Sequence, residues 1–427
     1  MTKWIAAEEA PALLKPGMHV AIAGGVMEPQ AILAALQAAP EASRGVTYIA
    51  NPLPGMSKVD YANFHPEART LTFFISAEMR DSFKAGRIDF VPVQHYQRYL
   101  YLRDHAQIDT AIIQLGPPDA DGMCSHGYGL DFAPAILDKA SLVIAEINAA
   151  LPSPPDMAKV PLSAVDYAVR SDIPVQLLPV APIDDVAHRI GAHVASLIKD
   201  GDCIETGIGA IPNAALAALG ERNDLGVHSG MIPEGIKPLV DRGVITGAAK
   251  TIDKGKIVTG FAAGSRELMD WSGRCPDIAF RTADYTHDVA VLGRIDNFVA
   301  INSAVEVDLF CQLNSEVVGG RQISGTGGSV DFMRGALRSK GGRGIVAFTA
   351  TAAGGKISRI VPQIPADGVT TALRTDADYF VTEYGIARVR GLPLDAAAQA
   401  LIAIAAPQFR DQLQESWQAQ YRAVRGG

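Results

Sequence analysis

Glutamates placed close to glycine-rich turns are the residues of this chain best suited to chemistry. Glu383 stands in Thr382-Glu383-Tyr384-Gly385, just beyond the strand-like run Tyr379 to Val381. Glu234 lies shortly after His228-Ser229-Gly230-Met231, and Glu28 follows Gly24-Gly25. A carboxylate near a glycine turn is either a site acid or a buried, hydrogen-bonded structural one. The window from Asn302 to Gly391 holds further glycine turns: Gly319-Gly320, Gly325-Thr326-Gly327-Gly328 and Gly354-Gly355. Glycine lets backbone approach a ligand closely and adopt positive φ, and successive exposed N–H groups make anion or oxyanion sites. Each turn alone also reads as a tight hairpin. Their concentration among Asp331, Arg334, Ser358 and Arg359 points to a ligand site.

Gly207-Ile208-Gly209 precedes a helix start and invites a dinucleotide-binding reading. The third glycine of that fingerprint is missing, because Asn213 and Ala214 follow Pro212. An oxyanion or phosphate cradle at a helix N-terminus suits the same geometry better. His228 and Ser229 are adjacent, so on a strand their side chains point apart and form no triad. No His, Asp and Glu spacing of a metal site is present, so no metal is expected.

Elements of an α/β fold position these residues. An apolar run from Met18 to Ala23 leads into Gly24-Gly25, Pro29 and a helix over Ala31 to Ala39. The same order returns from Asp200: Cys203-Ile204-Glu205-Thr206, the Gly207–Gly209 turn, Pro212, and a helix through Ala214 to Leu219. Aligning Gly17 with Gly201 brings both turns and both helices into register, which reads as an internal duplication of an α/β unit. Further strands are expected at Val46 to Ala50, Leu71 to Ile75, Thr110 to Leu115 and Leu142 to Ile147. Helical stretches such as Ala133 to Lys139 alternate with them, the pattern of a mainly parallel sheet. The proline-crowded segment from Leu151 to Asp185 reads as a linker or surface excursion. The expected domains are therefore 1–182 and 183–427, two tandem α/β domains, the second opening with a helix over Val186 to Ile198. From Leu394 onward the tail reads as amphipathic helix broken at Pro407.

The 427 residues, 48% hydrophobic and 20% charged, fit an ordinary globular protein of two or three domains. A formal charge of −8 without a long basic run argues against nucleic acid as a partner. No signal peptide and no membrane-spanning apolar run are visible. Cys124, Cys203, Cys275 and Cys311 are widely spaced, which fits a reducing cytoplasm.

With these residues laid out, the chain resembles the acetyl-CoA hydrolase/transferase family of class I CoA-transferases, and within it the 4-hydroxybutyrate enzymes. The likeness covers nearly the whole chain. It rests on Gly116-Pro117-Pro118-Asp119, Ala145-Glu146-Ile147-Asn148 and Gly207-Ile208-Gly209-Ala210-Ile211-Pro212. Leu225-Gly226-Val227-His228-Ser229, Ile301-Asn302-Ser303-Ala304 and Ser324-Gly325-Thr326-Gly327-Gly328 carry it further, as does Thr382-Glu383-Tyr384-Gly385-Ile386-Ala387. The resemblance implies two tandem α/β domains with the active site at their interface. It also implies coenzyme A as an acyl-CoA substrate, no permanently bound cofactor, a small carboxylic acid as second substrate, and a homo-oligomer. The implied mechanism is covalent: a glutamate attacks the acyl-CoA, forms an anhydride, and then becomes a glutamyl-CoA thioester.

Here the chain departs from its relatives. The nucleophilic glutamate expected directly after the His-Ser pair is Gly230, and a second family acid is replaced in His95-Tyr96-Gln97. One explanation is a divergent branch, with itaconate or related dicarboxylate transferases as company, in which Glu28, Glu234 or Glu383 acts instead. A second is thioester hydrolysis by water. A third is a CoA-thioester binding protein without turnover, or a chain altered at position 230. The expected site has N–H groups from Gly207, Gly209, Met231, Gly325, Gly327 and Gly328, with Asn302 and Glu383 orienting the acyl group. Arg98 and Arg103, in an expected loop, read either as solvated surface residues or as partners of a second substrate carboxylate.

Overall fold

The computed structural model describes residues 1–426; Gly427, the last residue of the expected second domain, lies outside them. The chain divides into two compact units. The first comprises Met1–Pro179, Gly230–Ile232 and Val258–Thr286; the second comprises Val180–Ser229, Pro233–Ile257 and His287–Gly427.

A parallel sheet forms the first unit. Its strands run in the order Lys3–Ile5, Tyr167–Ser171, Leu142–Asn148, Thr110–Leu115, His19–Ile22, Thr47–Ala50, Arg69–Thr72 and Ile88–Phe90. Every neighbouring pair is parallel. Central strands of a sheet covered on both faces read as near-continuous apolar runs, and all six residues of Thr110–Leu115, Gln114 included, are buried. Val20, Ile22, Tyr48 and Ile112 pack on one side with Ile32 and Leu36 of the Gln30–Ala38 helix. Ala21, Ile49, Ile113 and Ile136 pack on the other.

The second unit repeats the plan. Gly226–His228, Cys203–Thr206, Phe298–Asn302, Arg343–Ala347 and Tyr379–Thr382 lie side by side in parallel, and Gly385–Arg388 adds an antiparallel hairpin strand. The duplication read from the glycine turns thus corresponds to two sheets of like topology. In each, the strand before the repeated turn is flanked on one side by the next strand in sequence and on the other by a strand reached after an excursion. That arrangement is a topological switch point, where parallel α/β sheets bind ligands at their carboxyl ends.

Several local expectations need correction. Leu151 to Asp185 is no mere linker: Tyr167–Ser171 pairs in register with Leu142–Asn148, and Ala168 and Val169 are buried. The surrounding prolines concealed that strand. The segment expected as a loop around Arg98 and Arg103 is helical, His95–Leu100 followed by a π-helical turn over Tyr101–His105. Two of the three glycine turns in the C-terminal window are hairpin turns. Gly319 and Gly320 have φ of 53° and 71° and join Val317–Val318 to Arg321–Gln322. Gly354 and Gly355 lie between Thr351–Ala352 and Ile357–Ser358. At Gly319-Gly320, positive φ at both central residues is what a tight two-residue hairpin needs.

Candidate active site

The carboxyl edge of the second unit's sheet gathers several of the expected residues. Cys203–Thr206 ends in the Gly207–Gly209 turn, in which Gly209 has φ of 123°, a value for which a side chain would be strained. The Ala210–Ala217 helix starts there, two residues ahead of Pro212, which falls in the first turn where its missing N–H costs nothing. No side chain caps this helix. On the neighbouring strand, Asn302 Nδ2 donates to Glu205 Oε2 at 2.8 Å. Glu205 is buried, and desolvation pushes its carboxyl up to about 8 against the lowering effect of Asn302 and the Ile301 backbone. It therefore keeps its proton at pH 7, hydrogen-bonded to the Asn302 amide.

Two strands further along, Glu383 occupies the two-residue turn between Tyr379–Thr382 and Gly385–Arg388. It is half-buried, and its Oε2 accepts the Ala350 N–H at 2.8 Å. The carbonyl of the same Ala350 accepts the Arg359 N–H at 2.9 Å. Adjacent strands lie about 4.8 Å apart, so the strand ends carrying Asn302 and Glu383 are separated by roughly 10 Å.

Gly325 is buried, Gly327 has φ of 62° with open space where a Cβ would stand, and Gly328 precedes the Ser329–Arg338 helix. A Cβ on Gly328 would lie 2.5 Å from His287 Nε2, so close packing fixes glycine there. Glu316, buried behind this loop, accepts from Thr371 Oγ1 at 2.9 Å and from Gln322 Nε2 at 3.3 Å. Glu234, half-buried, sits in the turn before the Ile236–Asp241 helix.

Glu28 and Met231 belong to the first unit. Glu28 is 2% exposed at the end of the Gly25–Met27 turn. Burial raises its carboxyl to about 7, opposed by hydrogen bonds with Ser57, Gln30 and Tyr61. Met231 lies in a two-residue strand paired with Phe261–Ala262, and Gly230 accepts the Gly260 N–H at 3.0 Å. Arg98 is 4% exposed, its guanidinium 5.2 Å from the Phe73 ring centre and 5.1 Å from that of Phe132. The solvated reading is wrong for Arg98, whereas Arg103 is exposed and pairs with Asp104 at 2.7 Å.

Sequence reasoning missed Glu205 as a site residue. The signal lay in a charged residue inside an otherwise apolar parallel strand, immediately before a glycine turn. Its partner stands 97 residues away, out of reach of any local pattern.

Comparison with known proteins places this geometry. Residues 1–179 match the acetyl-CoA hydrolase/transferase N-terminal domain, and residues 264–417 match the C-terminal domain. The chain is 37% identical to a 4-hydroxybutyrate coenzyme A transferase of Clostridium kluyveri over 98% of both proteins. Among solved structures, RipA from Yersinia pestis superposes with a TM-score of 0.91 at 32% identity, covering 98% of each chain. A 4-hydroxybutyrate CoA-transferase from Porphyromonas gingivalis superposes with a TM-score of 0.81 at 33% identity, again covering 98% of each. The chain belongs to the acetyl-CoA hydrolase/transferase family.

Proposed function

We propose that this chain is an acyl-CoA:carboxylate CoA-transferase acting on small acids, dicarboxylates such as itaconate among them, with Glu383 as its covalent carboxylate. The observation that carries the reading is the placement of Glu383: half-buried, fixed through one oxygen by the Ala350 N–H, and at the carboxyl edge of the sheet that holds Asn302. A nucleophile must be reachable and oriented, with one oxygen left for attack. Glu28 meets neither demand, being enclosed and half-protonated near neutral pH.

The Glu383 carboxylate attacks the thioester carbonyl carbon, the C–S bond breaks, and CoA leaves as thiolate. The product is a mixed anhydride. The thiolate then attacks the glutamyl carbonyl carbon, the anhydride C–O bond breaks, and the acyl group departs as a carboxylate. An incoming acid reverses both steps on the glutamyl-CoA thioester, so no proton, oxidant or reductant is consumed. Each tetrahedral oxyanion needs preorganised donors. The N–H groups of the Gly207–Gly209 and Gly325–Gly328 turns and the amide of Asn302 supply them in this reading. Neutral Glu205 holds that amide without adding a charge that would oppose the oxyanion. Four buried free cysteines support a reducing, cytoplasmic setting.

Thioester hydrolysis is a second reading, favoured by Gly230, which lacks the side chain of the relatives' expected nucleophile. Incubation with acetyl-CoA and isotope-labelled propionate separates the two. Label entering the thioester pool at constant total thioester is expected for a transferase. Thioester loss matched by free thiol, with no label incorporated, would establish a hydrolase.

A further inference from the structure

Other than Arg359, the half-buried arginines of the second unit each have a partner: Arg222 and Arg410 donate to the Ala195 and Ala405 carbonyls, and three meet a carboxylate. Arg334 pairs with Asp376, Arg343 with Asp202 and Arg390 with Asp378. Arg359 differs. Its guanidinium is half-buried, yet it makes no hydrogen bond or ion pair among the described residues. Burial lowers its proton affinity, and the negative charge of Glu383 opposes that effect. Withdrawing a guanidinium from water without an anion costs free energy that an exposed arginine avoids.

The backbone holds Arg359 firmly. Its N–H donates to Ala350 O at 2.9 Å, and its carbonyl accepts the Val307 N–H at 2.8 Å. The next residue, Ile360, is paired with Val307 in a parallel ladder. Ala350, itself buried, gives its own N–H to Glu383. One residue thus anchors both a carboxylate and a cation without bringing them into an ion pair. A guanidinium presents a planar fork of donors that matches a carboxylate bidentately.

We infer that Arg359 is a specificity-determining residue that binds the distal carboxylate of a dicarboxylic acyl group, leaving the group's other end to the Glu383 carboxylate. This rests on the transferase reading for its catalytic consequence, but the binding of a free dicarboxylate does not. Such an arrangement favours dicarboxylates over monocarboxylates of similar length.

The test compares unmodified protein with Arg359→Gln and Arg359→Lys, using succinate and butyrate as acceptors with acetyl-CoA as donor, together with calorimetric titration of succinate alone. Loss of a charged hydrogen-bonded contact predicts a KM for succinate raised about 10–100-fold in Arg359→Gln, with kcat and the butyrate parameters changed less than about threefold. Arg359→Lys keeps charge without the fork and falls between. Butyrate transfer confirms that the variants are folded. If Arg359→Gln loses succinate and butyrate activity equally, or neither, the inference is overturned; should that variant fail to fold, unchanged succinate parameters in Arg359→Lys overturn it. If the unmodified protein binds succinate in an Arg359-dependent way but transfers CoA to no acid, the transferase reading fails and this one stands.

Discussion

The two switch points of this molecule share topology and differ in what occupies them. In the first unit, the helix after the glycine turn, Gln30–Ala38, is closed by the protein itself. Glu146 Oε2 accepts the N–H groups of Ala31 at 2.8 Å and Ile32 at 3.3 Å. Those groups carry the partial positive charge of a helix N-terminus, where an anion is favoured. Asn148 donates to Gln114 at 2.6 Å, and Gln114 donates to the Glu28 carbonyl at 2.9 Å, so the adjacent strand ends are also satisfied internally. In the second unit, the Ala210–Ala217 helix has no side-chain cap, and the buried acid Glu205 faces Asn302 instead. The first copy's helix N-terminus is thus covered by a carboxylate of its own unit, whereas the second copy's has no side-chain cap.

The largest expected effect is at Glu383. Glu383→Gln keeps an oxygen to accept the Ala350 N–H but removes the proposed nucleophile. Steady-state transfer should fall about 1000-fold or more with little change in thermal stability. Equivalent changes at Glu28 and Glu234, made in parallel, should leave more activity; a larger loss at either would break the comparison.

A smaller effect concerns pH. Glu205 acts as a neutral acid, so the transfer rate should fall as pH rises through about 8, where its carboxylate appears beside Asn302. Glu205→Gln keeps the hydrogen bond and cannot ionise. It should match the unmodified enzyme at pH 7 and exceed it by about tenfold at pH 9, one pH unit corresponding to a tenfold change in ionised fraction. An unchanged alkaline limb would remove Glu205 from the account.

In the first unit the expected effect is on stability. Glu146→Ala uncovers two helix N–H groups and should lower unfolding free energy by about 1–2 kcal/mol, read by denaturant titration. Transfer activity per folded molecule should not change. A selective loss of activity would mean that this switch point is also part of the site.

The smallest effect is a change in stability with pH. Glu28 and Glu205 have folded-state values raised above the usual 4.5, to about 7 and about 8. The folded state therefore keeps their protons where the unfolded chain has lost them. Their contribution is complete below pH 4.5 and declines as pH rises towards about 7 and about 8, respectively. Glu28→Gln should flatten thermal stability between pH 4.5 and 7, and Glu205→Gln should do so up to pH 8. Melting curves with the original slope in both variants would contradict these assignments.

Much of this architecture was legible because buried parallel strands read as apolar runs. Thr110 to Leu115 emerged with its bounds intact, and the turns at Gly24-Gly25 and Gly207–Gly209 revealed the duplication. Asn302 and Glu383 were legible as polar residues at strand ends. Glu205 was not, because a buried strand offers no polar-out alternation to contrast it with. Arg98 was misread since its aromatic neighbours, Phe73 and Phe132, come from distant segments. The unpaired state of Arg359 was equally hidden, because sequence shows which charges exist but not which ones meet.

The most direct test of the account is to trap the covalent intermediate. Protein mixed with acetyl-CoA or succinyl-CoA and treated with borohydride would carry a glutamyl thioester reduced to an alcohol, which intact mass and peptide mapping locate. The account predicts modification at Glu383, absent in Glu383→Gln. Modification at Glu28, Glu234 or another carboxylate, or sustained transfer with no modified residue, would contradict it.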